Sequence, residues 1–462
     1  MVRPFHRIIL GICLVSFVIL VFWVFLERTV PPGLSFTPVS VASDDHFCHL
    51  PANVLVVVKT SASAVYDTHP VQLLASPRCD KNILIFSDLA QTLGPYQVHN
   101  VLAEVPEEVK SNSTTFDHYR KLQEYQATGQ DIRAFLNDSR EAERKLDQYK
   151  SIPMLKKAWA MRPGYDWYMF IETDTYVFQK NLALWLERLN PSKQWYLGSP
   201  VYSGDETAAH SGSGVILSRA AMSKAVDSSP DILRYYELAQ QGHAGDYLIM
   251  KALQAEGIPL HNVWPILQYE TKNTIPFGPM SDNRKPHWCQ PLVTMRATPE
   301  DVDGIRQFEK HWQHKDTTVS LPLRSQNKPL TSPIQNPILL SDAFDAFISM
   351  HLTSEQDDWD NLSSDMIFRE SGLQSEHHIP EDKMTTAQKV AYASFEQCRI
   401  ACEQHERCLQ FVHYSQTCGL SFSYRHGKNR APVDGVRYRS GWDLARIGYS
   451  QDDIPCISIA WM

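Results

Sequence analysis

Basic residues are in deficit. The 462-residue chain carries 44 Lys and Arg against 52 Asp and Glu, a formal net charge of −8. A nucleic-acid-binding protein normally presents a basic face, so nucleic acid is excluded as an expected partner. Cysteine is sparse, at nine residues, which excludes a disulfide miniprotein. Internal repeats are absent, which excludes a solenoid. The composition is not that of a disordered chain either: 43% is hydrophobic and 21% charged, as in foldable globular proteins. The length corresponds to about three units at ~150 residues each.

What is present begins with Ile8–Leu26, an uncharged run of 19 residues. As a helix it measures about 28 Å, close to the ~30 Å hydrocarbon core. It is longer than a secretory h-region, and no small-x-small cleavage pattern follows. The run therefore reads as an uncleaved signal anchor. Arg3 and Arg7 precede it, which places the N-terminus in the cytosol and the rest in the lumen. Sequons at Asn112, Asn137 and Asn361 agree with a secretory route. So does the cysteine count. Cys13 lies in the anchor, and the other eight form an even set, as pairing in an oxidising lumen requires.

Residues 1–28 are read as tail and anchor. Residues 29–47, rich in Pro, Ser and Thr, are read as a stem. From 48 to 312 short apolar runs alternate with helical spacing. Val54–Lys59, Ile83–Phe86 and Trp167–Ile171 look like strands buried on both faces of a mainly parallel sheet. The segment Ala142–Lys150 reads as a charged, solvated helix. This alternation predicts an α/β domain, whose ligands bind beyond the carboxyl ends of the strands. Residues 313–390 read as a linker and extension, and 391–462 as a separate small unit.

Three constellations could carry chemistry. Glu172-Thr173-Asp174 follows the third strand. In extended backbone its two acids share a side and could hold one Mg²⁺ or Mn²⁺ bridging a nucleotide diphosphate; otherwise they are exposed loop acids. His210-Ser211-Gly212-Ser213-Gly214 precedes an apolar segment. It is either a close-approach loop for a ligand or a tight turn before a core strand. Asp246 opens a helix, as an N-terminal cap or as a base aimed into a cleft.

Taken in order, Tyr149-Lys150, Tyr165-Asp166-Trp167-Tyr168, Glu172-Thr173-Asp174-Thr175-Tyr176-Val177, Leu197-Gly198-Ser199, Ser211–Gly214 and Leu217-Ser218-Arg219 resemble the fringe and core-1 β1,3-galactosyltransferase superfamily, glycosyltransferase family 31, most closely its fungal branch. The resemblance covers roughly residues 50–310. It implies a GT-A fold binding a UDP-sugar and Mn²⁺ (or Mg²⁺), with inversion at the anomeric carbon. By position it implies metal ligation by Asp174 and Glu172, a donor and acceptor loop at His210, Gly212, Ser213 and Gly214, and a general base at Asp246. Thr60 and Asp88, at strand ends, are expected nucleotide contacts, and Trp288 an acceptor-stacking residue. One position departs from the pattern. Where the family carries a metal-ligating histidine, this chain has Arg296. Arginine cannot ligate a metal but can neutralise phosphate directly.

Cys398, Cys402, Cys408 and Cys418 resemble a PAN/apple-like module, in which disulfides pin a helix to a small sheet; a zinc site with His405 or His413 is the competing reading. Cys289 or Cys48 could pair with Cys456. The expectation is therefore one transmembrane helix, a GT-A-type α/β domain and a small disulfide-rich α+β module. Such a chain would sit in the Golgi membrane as a single-pass type II protein. It would transfer a hexose from a UDP-sugar to a glycan or glycoprotein hydroxyl, in the β1,3 linkage that the resemblance implies. The alternative is a catalytically degenerate homologue that binds carbohydrate or protein in the lumen.

Overall fold

Two strands apolar up to their last residue, β1 (Val54–Lys59) and β5 (Trp167–Glu172), lie side by side at the centre of an eight-stranded sheet. The computed structural model describes residues 50–65, 79–132, 140–227, 232–278, 287–314, 336–370, 379–452, 456 and 459–461. The expected signal anchor, the stem and the Asn137 sequon lie outside them. Among the described residues no helix is long and apolar enough to cross a membrane.

The remaining strands of this sheet are β2 (Ile83–Ser87), β3 (Gln91–Leu93), β4 (Tyr96–Asn100), β7 (Tyr196–Gly198), β10 (Val215–Ser218) and β11 (His261–Asn262). Their order is β11-β7-β10-β5-β1-β2-β4-β3. Strands β10 and β3 run against the other six. Two short antiparallel pairs lie outside it: β6 (Thr175–Val177) with the sequence-distant β12 (Thr294–Arg296), and the hairpin β8 (Pro200–Ser203) with β9 (Glu206–Ala209). The sheet is mainly parallel, as the apolar runs predict.

The lack of alternation in β1 has a direct cause. Leu55 and Val57 enter one core with Phe170 and Leu217, whereas Val54, Val56 and Val58 enter another with Met169 and Ile216. Both faces are covered, so every position from Val54 to Val58 is apolar. Helices Thr115–Thr128, Arg140–Asp147 and Ser151–Met161 supply the crossover from β4 to β5.

Beyond the α/β domain the structure departs from the expected boundaries. A five-stranded antiparallel sheet has the order β13-β19-β16-β17-β15, with β13 (Glu355–Asp357), β15 (Met366–Arg369), β16 (Gln410–Tyr414), β17 (Thr417–Ser421) and β19 (Arg439–Trp442). Two of its strands come from the 313–390 segment read as linker. Short strands escape a periodicity argument, because three or four residues hold too few apolar positions to register. Nor is the C-terminal sheet a detached unit. A third core joins Tyr176, Ile275 and Phe277 of the α/β domain to Leu409, Tyr424 and Trp442. The backbones of Phe277 and Tyr424 also exchange hydrogen bonds of 2.9 and 3.0 Å.

The cysteine cluster forms disulfides, Cys398–Cys418 and Cys402–Cys408, not a zinc site. They pin helix Phe395–Gln404 to β17 and to the loop before β16. Cys289 pairs with Cys456, one of the two partners considered. Cys79 is also disulfide-bonded, and its partner falls outside the described residues. One glycosylation expectation is overturned. Asn361 is fully buried and donates its side-chain amide to the carbonyls of Phe411 and Gly441 at 3.1 and 3.2 Å. An amide committed to two core carbonyls is not open to glycan transfer. Asn112 is exposed.

Behind the β6–β12 pair, buried Glu309 accepts the Tyr176 hydroxyl at 2.7 Å. Burial pushes its carboxyl up to about 7, against the Tyr176 hydrogen bond, which pulls it down. A carboxyl raised in the folded state favours folding while it is protonated. That advantage is complete below its ordinary value of 4.5 and is lost as pH rises through 7. Glu309→Gln is expected to remove this pH dependence, leaving the variant more stable than the parent at pH 8 by up to about 3 kcal/mol relative to their difference at pH 4. Denaturant unfolding at the two pH values measures it. Parallel pH profiles for the two proteins would contradict it.

Candidate functional site

Polar side chains gather where β1, β2 and β5 end. Each strand runs out of its apolar stretch into a charged or hydroxyl residue: Lys59, Ser87-Asp88 and Glu172. Open parallel sheets place ligands at this edge. Lys59 Nζ donates to Asp147 Oδ2 at 2.6 Å and lies 3.2 Å from Glu172 Oε1. That Glu172 oxygen also accepts the Ser211 hydroxyl at 2.5 Å. The Ser211 backbone N–H in turn donates to Asp246 Oδ2 at 3.1 Å. A continuous polar chain thus runs from Asp147 through Lys59, Glu172 and Ser211 to Asp246.

Burial would depress the Lys59 pKa. The carboxylates of Asp147, Glu172 and Asp246 outweigh it and hold the ammonium charged. Burial likewise opposes the Asp147 anion, but Lys59 and Lys150 overcome it and pull its carboxyl down to about 2. Lys59 is also the main cause of the lowered Glu172 pKa, helped by the Ser211 hydroxyl against burial. Asp246 behaves in the opposite way. Burial raises its pKa and the nearby Glu172 anion adds to this, while Lys59 and the Ser211 amide only partly offset them. Two neighbouring carboxyls are therefore driven apart, one toward the anion and one toward proton uptake. That division of labour suits acid–base chemistry.

The glycine-rich segment is a 3₁₀ turn, Ser211–Ser213, leading into β10. The His210 Nδ1 accepts the Gly212 N–H at 3.0 Å, so the imidazole proton sits on Nε2. Gly214 has φ +84°, a conformation that favours glycine, and a Cβ there would lie 3.2 Å from the Met169 side chain, a tight contact. Ser213 is buried, and its carbonyl accepts the Thr294 hydroxyl at 2.7 Å. The loop therefore serves as both close-approach turn and core junction. Asp246 lies in the first turn of helix Gly245–Ala255, where the helix dipole favours an acid, and its carboxylate reaches across to the Ser211 amide.

Three sequence expectations change. Asp88 is 2% exposed, ion-paired with Lys150, and accepts the Ala62 N–H at 3.0 Å. Thr60 is buried and its carbonyl accepts Lys150 Nζ at 3.0 Å. Both brace the strand ends and do not present a nucleotide surface. Trp288 is buried, its ring 5.3 Å from that of Phe344, so it is core and not an acceptor platform. The segment Ala142–Lys150 is not a wholly solvated helix. Lys150 is 2% exposed, and Asp147 bridges it to Lys59. Lys59, Asp147 and Lys150 are the site residues that residue-by-residue reading missed. The available signal was the position of Lys59 as the last residue of a buried strand.

The pair Glu172 and Asp174 does not converge as extended backbone would require. β5 ends at Glu172, and Thr173-Asp174 form a turn into β6. Asp174 Oδ2 takes the Arg296 Nε at 2.6 Å, and the Asp174 carbonyl accepts the Ala297 N–H at 2.8 Å. Each acid expected to bind Mn²⁺ or Mg²⁺ is therefore already neutralised by a protein cation, Glu172 by Lys59 and Asp174 by Arg296. A divalent ion placed beside them would be repelled by both. Among the described residues no three His, Cys, Asp or Glu side chains gather as a metal set. This donor set does not fit the metal that the resemblance implies. What the arrangement offers is two fixed cations and a raised-pKa carboxyl around one glycine-rich turn. No family model matches the chain, and no curated protein matches it.

Proposed function

We propose that the chain is an inverting glycosyltransferase, moving a hexose from a UDP-sugar to a glycan or glycoprotein hydroxyl with formation of a β linkage, 1,3 by the resemblance to family 31. The observation that carries this reading is the Lys59–Glu172–Ser211–Asp246 chain at the carboxyl edge of a mainly parallel sheet. Asp246 accepts the proton of the acceptor hydroxyl as that oxygen bonds to C1 of the sugar. The C1–O bond to the diphosphate breaks with its electron pair on UDP. Arg296, half-exposed beyond its pair with Asp174, meets the charge that develops on the leaving diphosphate, in the role an added cation would otherwise fill, while Lys59 stays enclosed by the acids it pairs with. Holding donor and acceptor in line supplies a large share of the rate, since good orientation is worth roughly 7–11 kcal/mol.

A GT-A architecture, an N-terminal membrane anchor and a Golgi lumenal location belong to the same reading. They draw on the residues 50–310 pattern, on Ile8–Leu26 and on the disulfides, which persist in oxidising compartments. A second reading, a degenerate binding protein, draws on the Arg296–Asp174 pair. UDP release by the purified protein separates the two, measured over UDP-galactose, UDP-glucose and UDP-N-acetylglucosamine with Mn²⁺ or with EDTA. Turnover of one donor that survives EDTA is the expected result. Failure to release UDP from any donor, with UDP binding also absent by calorimetry, would favour the binding protein.

A further inference from the structure

A cavity of about 180 Å³ lies where the α/β domain meets the C-terminal module. The domain lines it with Trp264, Tyr269 and Glu270, and the module with Asp365, Ser423 and Arg425. We infer that this cavity is the acceptor subsite, and that it takes a single carbohydrate ring through contributions from both parts of the chain. This rests on the transferase reading for its role, though not for its ligand chemistry.

The cavity connects to the reacting groups. Tyr269 stacks on His210, ring centroids 4.7 Å apart and planes within 21°. The next residue, Ser211, holds both Glu172 and Asp246. On this assignment a ring in the cavity sends its reacting hydroxyl past Tyr269 and the His210 loop toward the base.

The lining has the chemistry of a sugar site. Flat apolar faces come from Trp264, held edge-on by His287 at 4.3 Å, and from Tyr269, 37% exposed. Aromatic faces of this kind cover the C–H face of a pyranose. Charged atoms stand ready for its hydroxyls. Asp365 Oδ2 is fixed by the Ser421 hydroxyl and the Phe422 N–H, both at 2.8 Å. Glu270 Oε2 is fixed by the Thr274 hydroxyl, and Arg425 Nη1 by the Leu362 carbonyl at 3.1 Å. Among the described residues, none of these three groups forms an ion pair. Asp365 Oδ1 and Glu270 Oε1 accept no hydrogen bond from them, and Arg425 Nη2 donates none to them. Two carboxylates and a guanidinium that share a cavity without pairing can each bind a neutral polyhydroxyl ligand, by charge-assisted hydrogen bonds. Burial lowers the Arg425 pKa while Asp365 and Glu270 counter it, so this guanidinium is desolvated and primed to donate.

The volume argues for one ring. It falls below the ~300–1,000 Å³ of sites for drug-sized ligands. The location also gives the C-terminal module a function, because Asp365, Ser423 and Arg425 in the lining are its own.

The test uses the full-length protein and a panel of methyl glycosides: galactoside, glucoside, mannoside, N-acetylglucosaminide and N-acetylgalactosaminide. Saturation-transfer NMR detects binding, and calorimetry follows UDP in parallel. One or more glycosides are expected to bind. Tyr269→Ala and Asp365→Asn are each expected to weaken that binding at least 10-fold while leaving UDP affinity unchanged. Tyr269→Ala changes an exposed side chain, and Asp365→Asn keeps the acceptor for Ser421 and Phe422, so folding is preserved. Glycoside binding indifferent to both variants, or no binding of any glycoside, would overturn the subsite. Glycoside binding that the variants abolish, in a protein that never binds UDP, would retain the carbohydrate site and overturn the transferase reading alone.

Discussion

Asp246→Asn is expected to lower sugar transfer by roughly 10²–10⁴-fold, the usual contribution of a positioned general base. UDP binding should stay within a few-fold of the parent, because the hydrogen bond of Asp246 is to the Ser211 N–H and, among the described residues, it forms no ion pair with Lys59 or Arg296. Asparagine keeps an oxygen for the Ser211 N–H, so the loop geometry survives while proton uptake is lost. The pH profile of the parent carries the same signature. Asp246 must be ionised to accept a proton, and burial raises its pKa above the ordinary 3.8. Activity therefore rises with pH along a limb whose midpoint lies above the normal aspartate range, and that limb disappears in the variant. Residual transfer within tenfold of the parent, with the limb intact, would remove Asp246 from the mechanism.

The largest expected effect on stability comes from Lys150→Met. Its ammonium, 2% exposed, pairs with Asp88 and Asp147 and donates to the Thr60 carbonyl. Burial alone would lower its pKa, and the two carboxylates more than reverse this. Removing the lysine leaves Asp88 buried without its partner, a loss worth about 3–5 kcal/mol. Thermal or denaturant unfolding reads it directly. Adding Asp88→Asn to the same chain should recover part of the loss, because the uncompensated charge then disappears. A single-variant loss below about 1 kcal/mol, or no recovery in the double variant, would show that the pair is not the strut between β1 and β2 described here.

These two residues mark the difference between what was legible and what was not. Asp246 stood out because an acid after Gly242-His243-Ala244-Gly245 opens a helix, and the family resemblance gave it a role. Lys150 stood in a run of charges, AERKLDQYK, whose pattern is that of a solvated helix. Nothing in a linear pattern distinguishes a lysine facing water from one turned beneath a neighbouring strand to meet a buried aspartate. The same holds for Asn361, whose sequon is a property of three residues while its burial depends on β16 and β19. It holds again for Arg296. Its departure from the family pattern was visible, but only the pairing of β12 with β6 brings its guanidinium onto Asp174.

The chain's own pattern determined the elements that depend on local composition. Apolar runs buried on both faces specified β1, β2 and β5, and glycines at steric need specified the turn before β10. Cysteines at helical spacing marked the helix that the two disulfides hold. Tertiary structure alone decided which charges became site and strut, which tryptophan became wall and which became core, and that the last hundred residues share a core and a cavity with the rest. The physical reason is range. Propensity and periodicity act over a few residues, whereas pKa, burial and cavity shape are set by groups that meet across a hundred positions of chain.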